Sequence, residues 1–470
     1  MAIHPASRAL TAARDKYIQR NPVSKKLHDE SHEFMPGGNT RTILHVSPFP
    51  ITFACGKDAT LTSVDNDTYV DFLGEYSAGI FGHSNARIAE AVHEALSKGW
   101  NYGGQTVMEK ILAKKVVTRF RPSGMDLVRF TNSGTESNTV AIAAALNITG
   151  RRKILVFSNG YHGGTLIFPM DLMQNPATRN VNLPHEFVFA PYNNIDETEA
   201  IIGALAPQSL AAILVEPLQG SGGCRPATNA FLRYLREKAD ALQCLLIVDE
   251  VMASRLYPNG CSAAMGIKAD IMTLGKYVGG GMTFGAFGGR RDIMEVFDPE
   301  KSGLQHPGTY NNNVITMSAG VVGLDIYGTS EVERLNAFGT NFKIKLQEVL
   351  IKYGIYPQHP AGACRDIIEV DSFKNATLID PEDSSLVPFE PLPIIFITGH
   401  GSMVNVRFSG PCAADLRALY YFHMLENNIY LAPRGYTPLN LELSDKDVAK
   451  YLAAFEDFVT KYGSLLGLMV

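Results

Sequence analysis

Short apolar runs alternate with helical patterns through the middle of the chain. The apolar runs predict strands because they are short and are separated by segments with helical periodicity. They are LVRF (127–130), KILVF (153–157), AAILVE (211–216), CLLIVDE (244–250), IMTL (271–274) and FGAFGG (284–289). The segment 135–150 predicts a helix that opens on capping residues and stops at Gly150. This alternation is typical of a mostly parallel sheet covered on both faces, so the predicted class is α/β.

Two further regions carry regular patterns. Upstream, residues 87–99 predict a helix with Ile88, Val92 and Leu96 on one face. The last third has an α+β pattern, with strands predicted at 402–408 and 428–433 and helices near 412–427 and 444–462. Ser444 with Asp447 predicts the start of the last helix.

The length of 470 residues exceeds one ordinary core, which favours a large domain and a smaller one. The predicted organisation is an N-terminal segment (1–60) that contributes to the small domain, a large domain (61–330) and a small C-terminal domain (331–470). The proline-rich stretch 371–393 is predicted to be a surface excursion.

Composition narrows the function classes. An apolar fraction of 46% with 42 basic and 47 acidic residues describes a globular protein without a nucleic-acid footprint. The N-terminus lacks the apolar core of a signal peptide, and no apolar run is long enough to span a membrane, so a cytoplasmic protein is expected. The cysteines show no metal-ligand spacing, and no metal site is predicted.

Polar residues follow the predicted strands at the edge where ligands of such sheets gather. Ser133, Gly134 and Thr135 stand where a strand turns into a helix, which suits either a phosphate or an ordinary helix cap. Tyr161 and His162 lie among glycines, where an aromatic ring covers a planar ligand or simply packs.

Three more charged residues end strands in the same way. Glu216 beside a glycine turn predicts either a ligand contact or a hydrogen bond to neighbouring groups. Asp249 ends a buried strand and therefore needs a cationic partner, such as a protonated ring nitrogen. Lys276 ends the next strand, where partial desolvation makes a lysine nucleophilic towards carbonyls. Its GK dipeptide is not a P-loop, because the upstream glycine and the following Ser or Thr are missing.

A phosphate cup, an aromatic ring, a buried acid and a lysine are together the parts that hold pyridoxal 5'-phosphate (PLP). The surrounding sequence resembles the class III aminotransferases of PLP fold type I. The lysine segment is similar to the glutamate-1-semialdehyde aminomutase branch, and the chain from about residue 30 onward is closer still to the β-phenylalanine aminotransferases. The matching stretches are PGGNTR (36–41), FTNSGTESN (130–138), GRRKILVFSNGYHGG (150–164), VEPLQGSGGC (215–224), DEVMASRL (249–256), TLGKYVGGGMTFGAFGGR (273–290), GTYNNNV (308–314) and APRGY (432–436).

The resemblance implies a large PLP-binding domain with a mostly parallel seven-stranded sheet, and a homodimer with a shared active site to which segment 1–60 contributes. The cofactor residues it implies are Ser133, Gly134 and Thr135 for the phosphate with Thr309 of the partner subunit, Tyr161 and His162 beside the ring, Glu216 orienting its neighbours, Asp249 on the ring nitrogen, Val251 and Met252 on the opposite face, and Lys276 as the Schiff-base lysine. Lys276 and Asp249 are the predicted catalytic residues. The glycines after Lys276 are expected to let the backbone pack beside the cofactor and the dimer neighbour.

The resemblance also implies a substrate. Arg41 is expected to bind the carboxylate of a β-amino acid, and Arg434 that of 2-oxoglutarate or glutamate. The candidate apolar contacts are Tyr76, Ala78, Ile80, Phe81 and Met403. Three alternatives stay open: an aminomutase, an amine (omega) transaminase, and a PLP-binding relative without catalysis.

Overall fold

A computed structural model describes residues 4–175, 182–301, 303–356 and 392–468 of the protein. Nearly all of the predicted proline-rich excursion lies outside the described residues. The described chain forms two compact units. The first unit contains residues 4–85, 337–356 and 392–468, and the second contains 86–336 within the described ranges.

Helices and strands alternate through the chain. The strands are β1 (Phe53–Lys57), β2 (Thr60–Ser63), β3 (Thr68–Asp71), β4 (Leu127–Thr131), β5 (Lys153–Phe157), β6 (Gly160–Tyr161), β7 (Ile167–Phe168), β8 (Glu186–Ala190), β9 (Leu210–Val215), β10 (Leu218–Gln219), β11 (Arg225–Pro226), β12 (Leu245–Asp249), β13 (Ile271–Gly275), β14 (Gly285–Gly289), β15 (Ile395–His400), β16 (Met403–Phe408), β17 (Ile429–Tyr430) and β18 (Tyr436–Pro438). The α-helices are α1 (Pro5–Arg20), α2 (Pro22–Ser31), α3 (Ala86–Ser97), α4 (Val107–Phe120), α5 (Gly134–Thr149), α6 (Met170–Gln174), α7 (Ile195–Gly203), α8 (Asn229–Leu242), α9 (Cys261–Ala264), α10 (Arg291–Met294), α11 (Val314–Ile326), α12 (Thr329–Lys352), α13 (Ala413–Glu426) and α14 (Asp445–Lys461). Across these described ranges, no helix is both long enough and apolar enough to cross a lipid bilayer.

The second unit is built on a seven-stranded sheet in the order β4-β14-β13-β12-β9-β5-β8. Only β14 runs antiparallel to its neighbours, and the remaining strands are parallel to one another. The predicted mostly parallel sheet is confirmed, and all six predicted strands are present. The pattern missed β8, an edge strand whose residues are mostly half-buried.

The sheet forms here because its central strands are apolar throughout. Every residue of β12 and β13 is buried, as expected for strands covered by helices on both faces. Helix α5 packs on one face through Ala141, Ile142 and Ala145, and it ends at Gly150, whose φ of 65° is left-handed. Since β4, β5, β9, β12 and β13 are parallel, their carboxyl ends lie along one edge of the sheet.

The first unit joins both ends of the chain in its sheets. Strands β1, β2 and β3 form an antiparallel sheet that continues into β17, parallel to β3. A second antiparallel sheet contains β15, β16 and β18. This pairing holds β1–β3 with the C-terminal residues, so the units divide the chain at 85/86 and 336/337, whereas the sequence placed the boundaries at 60/61 and 330/331.

The predicted C-terminal helices are present as α13 and α14. Ser444 and Asp447 form the expected capping box, with each side chain bonded to the backbone of the other residue. Helix α3 is also present, but Leu96 is 38% exposed and Ala95 is buried instead. Two helical turns span 7.2 residues, so a face that contains Ile88 returns at position 95 rather than at 96.

Candidate active site

The first part of the site is the N-terminus of α5. Ser133 caps the helix, because its hydroxyl accepts a hydrogen bond from the backbone N–H of Glu136 at 3.2 Å. The Glu136 carboxylate in turn accepts from the N–H of Asn132 at 2.6 Å. The first-turn N–H groups of Gly134 and Thr135 have no partner within a helix and point along its axis. The helix cap is present, and phosphate binding at this N-terminus stays a prediction.

Glycines allow the backbone to approach this helix end closely. A Cβ on Gly163 would lie 2.4 Å from the hydroxyl of Thr135, and its φ of 132° is itself unsuited to other residues. A Cβ on Gly285 would lie 2.2 Å from the carbonyl oxygen of Ser133. A side chain at either position would displace the anion-binding turn.

Asp249 is the buried acid of the site and is 4% exposed. Its Oδ2 accepts hydrogen bonds from the Asn138 amide at 2.7 Å and from His162 Nδ1 at 2.8 Å. Its Oδ1 accepts from the N–H of Val251 at 3.0 Å. A carboxylate has about four acceptor positions, so Asp249 retains capacity for one further donor, such as a protonated ring nitrogen.

Two residues that position Asp249, Asn138 and Thr273, were not predicted from the sequence. The Thr273 hydroxyl donates to Asn138 Oδ1 at 2.8 Å, which turns the Asn138 amide towards Asp249. Asn138 also donates to the carbonyl of His162 at 3.0 Å. The sequence signal for Asn138 is limited to its being a polar residue inside a helix, and only the folded sheet shows which side it faces.

His162 and Glu216 complete this buried group. The Glu216 carboxylate accepts from the N–H of Tyr161 at 3.0 Å, which fixes the backbone that carries the Tyr161 ring. The Tyr161 side chain is 43% exposed. Glu216 therefore orients a neighbour, as predicted for its indirect role. Stacking of Tyr161 on a ligand ring stays a prediction.

The pKa values of His162 and Glu216 are both raised. Burial lowers the pKa of His162, but the hydrogen bond and charge of Asp249 outweigh it, so the net pKa is raised. Burial raises the pKa of Glu216 to about 8, with Asp249 adding to the rise and His162 opposing it. Both shifts favour the protonated forms, a cationic His162 and an uncharged Glu216.

Lys276 follows β13 directly at the carboxyl edge of the sheet. The five preceding residues are fully buried, while Lys276 itself is half-buried. Its φ of 55° lies in the left-handed region, which costs a non-glycine residue roughly 1–2 kcal/mol. Such strain is typical of residues whose direction is set by function.

The glycines after Lys276 contact the backbone of this same chain. A Cβ on Gly280 would lie 2.3 Å from the carbonyl oxygen of Ala319. A Cβ on Gly288 would lie 2.4 Å from the carbonyl oxygen of Leu127, and one on Gly289 would lie 2.0 Å from that of Asp270. Gly280 therefore packs against α11, whereas Gly288 and Gly289 pack against β4 and the residue that precedes β13. Their packing beside the cofactor and the dimer neighbour stays a prediction.

Val251 and Met252 occupy the turn after Asp249. Val251 packs over Gly134 and Gly275, with its methyl carbons 3.0 and 3.2 Å from where their Cβ atoms would stand. Met252 covers Gly220, since its sulfur would lie 2.1 Å from a Cβ there. Both residues therefore adjoin the turn that Asp249 begins.

Thr309 lies in an exposed loop of the second unit, between Gly308 and Tyr310. Tyr310 is 62% exposed. The role of Thr309 at a partner's phosphate stays a prediction.

The predicted substrate residues all belong to the first unit. Arg41 forms an ion pair with Glu75 at 2.7 Å, and the Tyr76 hydroxyl donates to the carbonyl of Ile43 at 3.2 Å. Burial raises the pKa of Tyr76. The positive charges of Arg41 and Arg434 act on the same hydroxyl and lower its pKa. Of the remaining candidates, Arg434 is exposed, Ala78 is half-buried, and Ile80, Phe81 and Met403 are buried.

The second unit thus brings together an anion-binding helix end, a buried carboxylate with acceptor capacity and a strand-end lysine. These groups fit the phosphate, the ring nitrogen and the aldehyde of PLP respectively. Residues 44–362 match the family described as aminotransferase class III. The chain belongs to the class III aminotransferases.

This aminotransferase is similar to relatives along its whole length. It is 41% identical over 462 residues to the beta-phenylalanine transaminase of Variovorax paradoxus, with 97% of each chain covered. It is 30% identical over 451 residues to a glutamate-1-semialdehyde 2,1-aminomutase of Methanothrix thermoacetophila, covering 93% of this chain and 96% of that protein. The crystal structure of the beta-phenylalanine aminotransferase from Variovorax paradoxus matches with a TM-score of 0.86 at 38% identity, over 98% and 99% of the two chains.

The family and fold expectations are confirmed. The enzyme is a PLP-dependent transaminase with PLP fold type I, and its relatives include both the transaminase and the aminomutase branch that the sequence resembles.

Proposed function

We propose that this enzyme transfers an amino group from a β-amino acid to 2-oxoglutarate or another 2-oxo acid. An aromatic donor such as β-phenylalanine is favoured. The observation that carries the proposal is 41% identity to a beta-phenylalanine transaminase over 97% of both chains. Two arginines of the first unit, Arg41 and Arg434, support it because a guanidinium group binds a carboxylate bidentately.

The residues of the second unit supply the general transamination chemistry. PLP, when bound, draws electrons from the carbon that carries the amino group. Asp249 keeps a proton on the ring nitrogen, and its contacts to Asn138 and His162 orient it for this. Ser133, Gly134 and Thr135 bind the phosphate. The Lys276 amine would hold and move the proton of the substrate carbon, acting as general base and acid.

The substrate contacts belong to the first unit. Arg41 binds the donor carboxylate, and Arg434 binds the α-carboxylate of 2-oxoglutarate or glutamate and swings away when an apolar side chain takes its place. The active form is a homodimer in the cytoplasm, with Thr309 of the partner subunit at the phosphate. Tyr76, Ala78, Ile80, Phe81 and Met403 are the proposed apolar surroundings of the donor.

A second candidate is a glutamate-1-semialdehyde aminomutase, favoured by 30% identity over 93% of the chain. An aminomutase interconverts its substrate without an external acceptor. The segment GTYNNNV lacks the proline that we associate with aminomutases after its threonine. A panel of β-amino acids, α-amino acids and 1-phenylethylamine with 2-oxoglutarate, run beside an acceptor-free aminomutase assay, separates the two. Fast turnover of 1-phenylethylamine alone would instead identify an amine transaminase.

Replacing Arg41 tests the donor assignment. We expect Arg41→Ala to raise KM for β-phenylalanine about tenfold to a hundredfold, the effect of losing a hydrogen-bonded charge pair. KM for 1-phenylethylamine and the absorbance of bound cofactor should not change, because neither involves a carboxylate at Arg41. Arg334→Ala, which removes another arginine paired with a glutamate at 2.7 Å, is the control. Unchanged kinetics with β-phenylalanine would refute the assignment.

A further inference from the structure

The segment after β3 has an unusual backbone. Gly74, Glu75, Tyr76 and Ser77 all have positive φ, with values of 49°, 47°, 53° and 78°. Glycine adopts this left-handed region freely, whereas three consecutive residues with side chains rarely do. A chain keeps such strain only where the surrounding structure holds it, and such segments cluster at functional sites.

Contacts on both sides fix this turn. The Asp71 carboxylate accepts from the N–H groups of Leu73 at 2.7 Å and of Gly74 at 3.0 Å. At the other end, the Tyr76 hydroxyl bonds to the carbonyl of Ile43 at 3.2 Å. The turn is therefore tied to the segment that carries Arg41.

This arrangement presents Glu75 to Arg41. The Glu75 carboxylate lies 2.7 Å from Arg41 Nη1, and the two side chains are 58% and 47% exposed. Both groups therefore face solvent while they are paired, so a dissolved carboxylate can reach the guanidinium. Because an exposed ion pair is weak, such a carboxylate can compete for it.

The local charge favours an incoming anion. Burial raises the pKa of the Tyr76 hydroxyl, Arg41 and Arg434 lower it, and Glu75 raises it. Two guanidinium groups and one carboxylate thus act on this hydroxyl. Without the Glu75 charge, the balance at Tyr76 would be more strongly cationic.

We propose that Glu75 determines substrate selectivity by occupying Arg41 until the carboxylate of the substrate displaces it. The inference rests on the proposed role of Arg41 as the donor-carboxylate receptor. Glu75 lowers the affinity for every carboxylate that uses Arg41, and it does not affect an amine that lacks one. It also keeps the arginine from being held by unrelated anions.

Glu75→Gln tests this role because it removes the charge and keeps the shape. KM for β-phenylalanine should fall about two- to fivefold, the range of an exposed ion pair, with kcat unchanged. KM for 1-phenylethylamine should stay the same. The inhibition constant of 3-phenylpropanoate, a carboxylate without an amine, should fall by the same factor as KM for β-phenylalanine.

Glu331→Gln is the matched control, since it removes the carboxylate of another exposed Arg–Glu pair at 2.7 Å. A rise in KM for β-phenylalanine with Glu75→Gln would show that Glu75 orients Arg41 and would overturn the inference. Equal changes for both donors, or no change, would overturn it as well. If the wild-type enzyme turns over no β-amino acid, the proposed function fails and the inference with it. If Arg41→Ala raises KM for β-phenylalanine and Glu75→Gln leaves it unchanged, the inference about Glu75 is wrong and the proposed function stands.

Discussion

Asp249 shows how single residues prepare the site before any ligand binds. A buried carboxylate is costly unless donors surround it, and Asn138, His162 and the N–H of Val251 supply them. Each donor also fixes the direction of the carboxylate. The protein, rather than the cofactor, therefore sets the direction of the remaining acceptor position of Asp249.

We expect Asn138→Ala to lower kcat about tenfold to a hundredfold and to weaken cofactor binding, because a hydrogen bond to a buried charge is lost. Cofactor affinity measured by absorbance and steady-state kinetics would detect both effects. Asn427→Ala is the control, since the Asn427 amide in the first unit donates to the carbonyl of His423 at 2.9 Å and lies 3.4 Å from His423 Nε2. Full cofactor affinity in Asn138→Ala would show that Asp249 does not depend on this amide.

The strand-end residues of the site were predictable because a buried strand followed by a charged residue is an unusual pattern. Asn138 and Thr273 were not predicted, because they lie inside a regular helix and a regular strand. Their role depends on which faces meet in the folded sheet, and a local pattern does not show that.

At the scale of elements, β14 packs against its neighbours through its backbone rather than through side chains. Its glycines lie against carbonyl groups of β4, β13 and the cap of α5, where a side chain has no room. β14 therefore lies between β4, which leads into α5, and β13, which ends at Lys276.

Gly285→Ala should destabilise the enzyme by about 1–3 kcal/mol, the usual cost of forcing an extra methyl group into a packed site, and should weaken phosphate binding. The urea midpoint and the cofactor affinity are the measurements. Gly203→Ala at the end of α7 is the control, because nothing lies within 4 Å of its Cβ and alanine is the better helix former. Equal stability of both variants would contradict the packing argument.

Central strands were predicted well and edge strands less so. Strands β12 and β13 consist of apolar residues from end to end, whereas β8 is half-buried and has no continuous apolar run. The pairing of β3 with β17 joins residues more than 350 positions apart in the chain. No local pattern reports such a pairing.

At the scale of the whole molecule, the buried His162 and Glu216 link folding stability to pH. The pKa of Glu216 is raised from 4.5 to about 8, so its contribution is complete below pH 4.5 and is lost as the pH rises through 8. The raised pKa of His162 acts in the same direction from pH 6.5 upward. Stability should therefore fall on the alkaline side.

The urea midpoint of the wild-type protein should fall between pH 6 and pH 9, and in Glu216→Gln it should fall less, because glutamine does not ionise. In Glu216→Gln the titration of His162 still lowers the urea midpoint as the pH rises, so a smaller slope remains. Glu186→Gln is the control, because hydrogen bonds from Lys153 and Arg152 lower the pKa of Glu186, so its titration stays below this range. Parallel curves for the wild-type protein and Glu216→Gln would exclude Glu216 as the source of the slope.

The glycine strand has a consequence for altering the enzyme. Neighbouring strands lie about 4.8 Å apart, so the two steps from β4 through β14 to β13 fix the separation of helix end and lysine at about 10 Å. Main-chain hydrogen bonds set that interval, and side-chain replacements elsewhere leave it in place. Substitutions elsewhere in the protein can therefore be made without changing this interval, provided that the pairing of the three strands is kept.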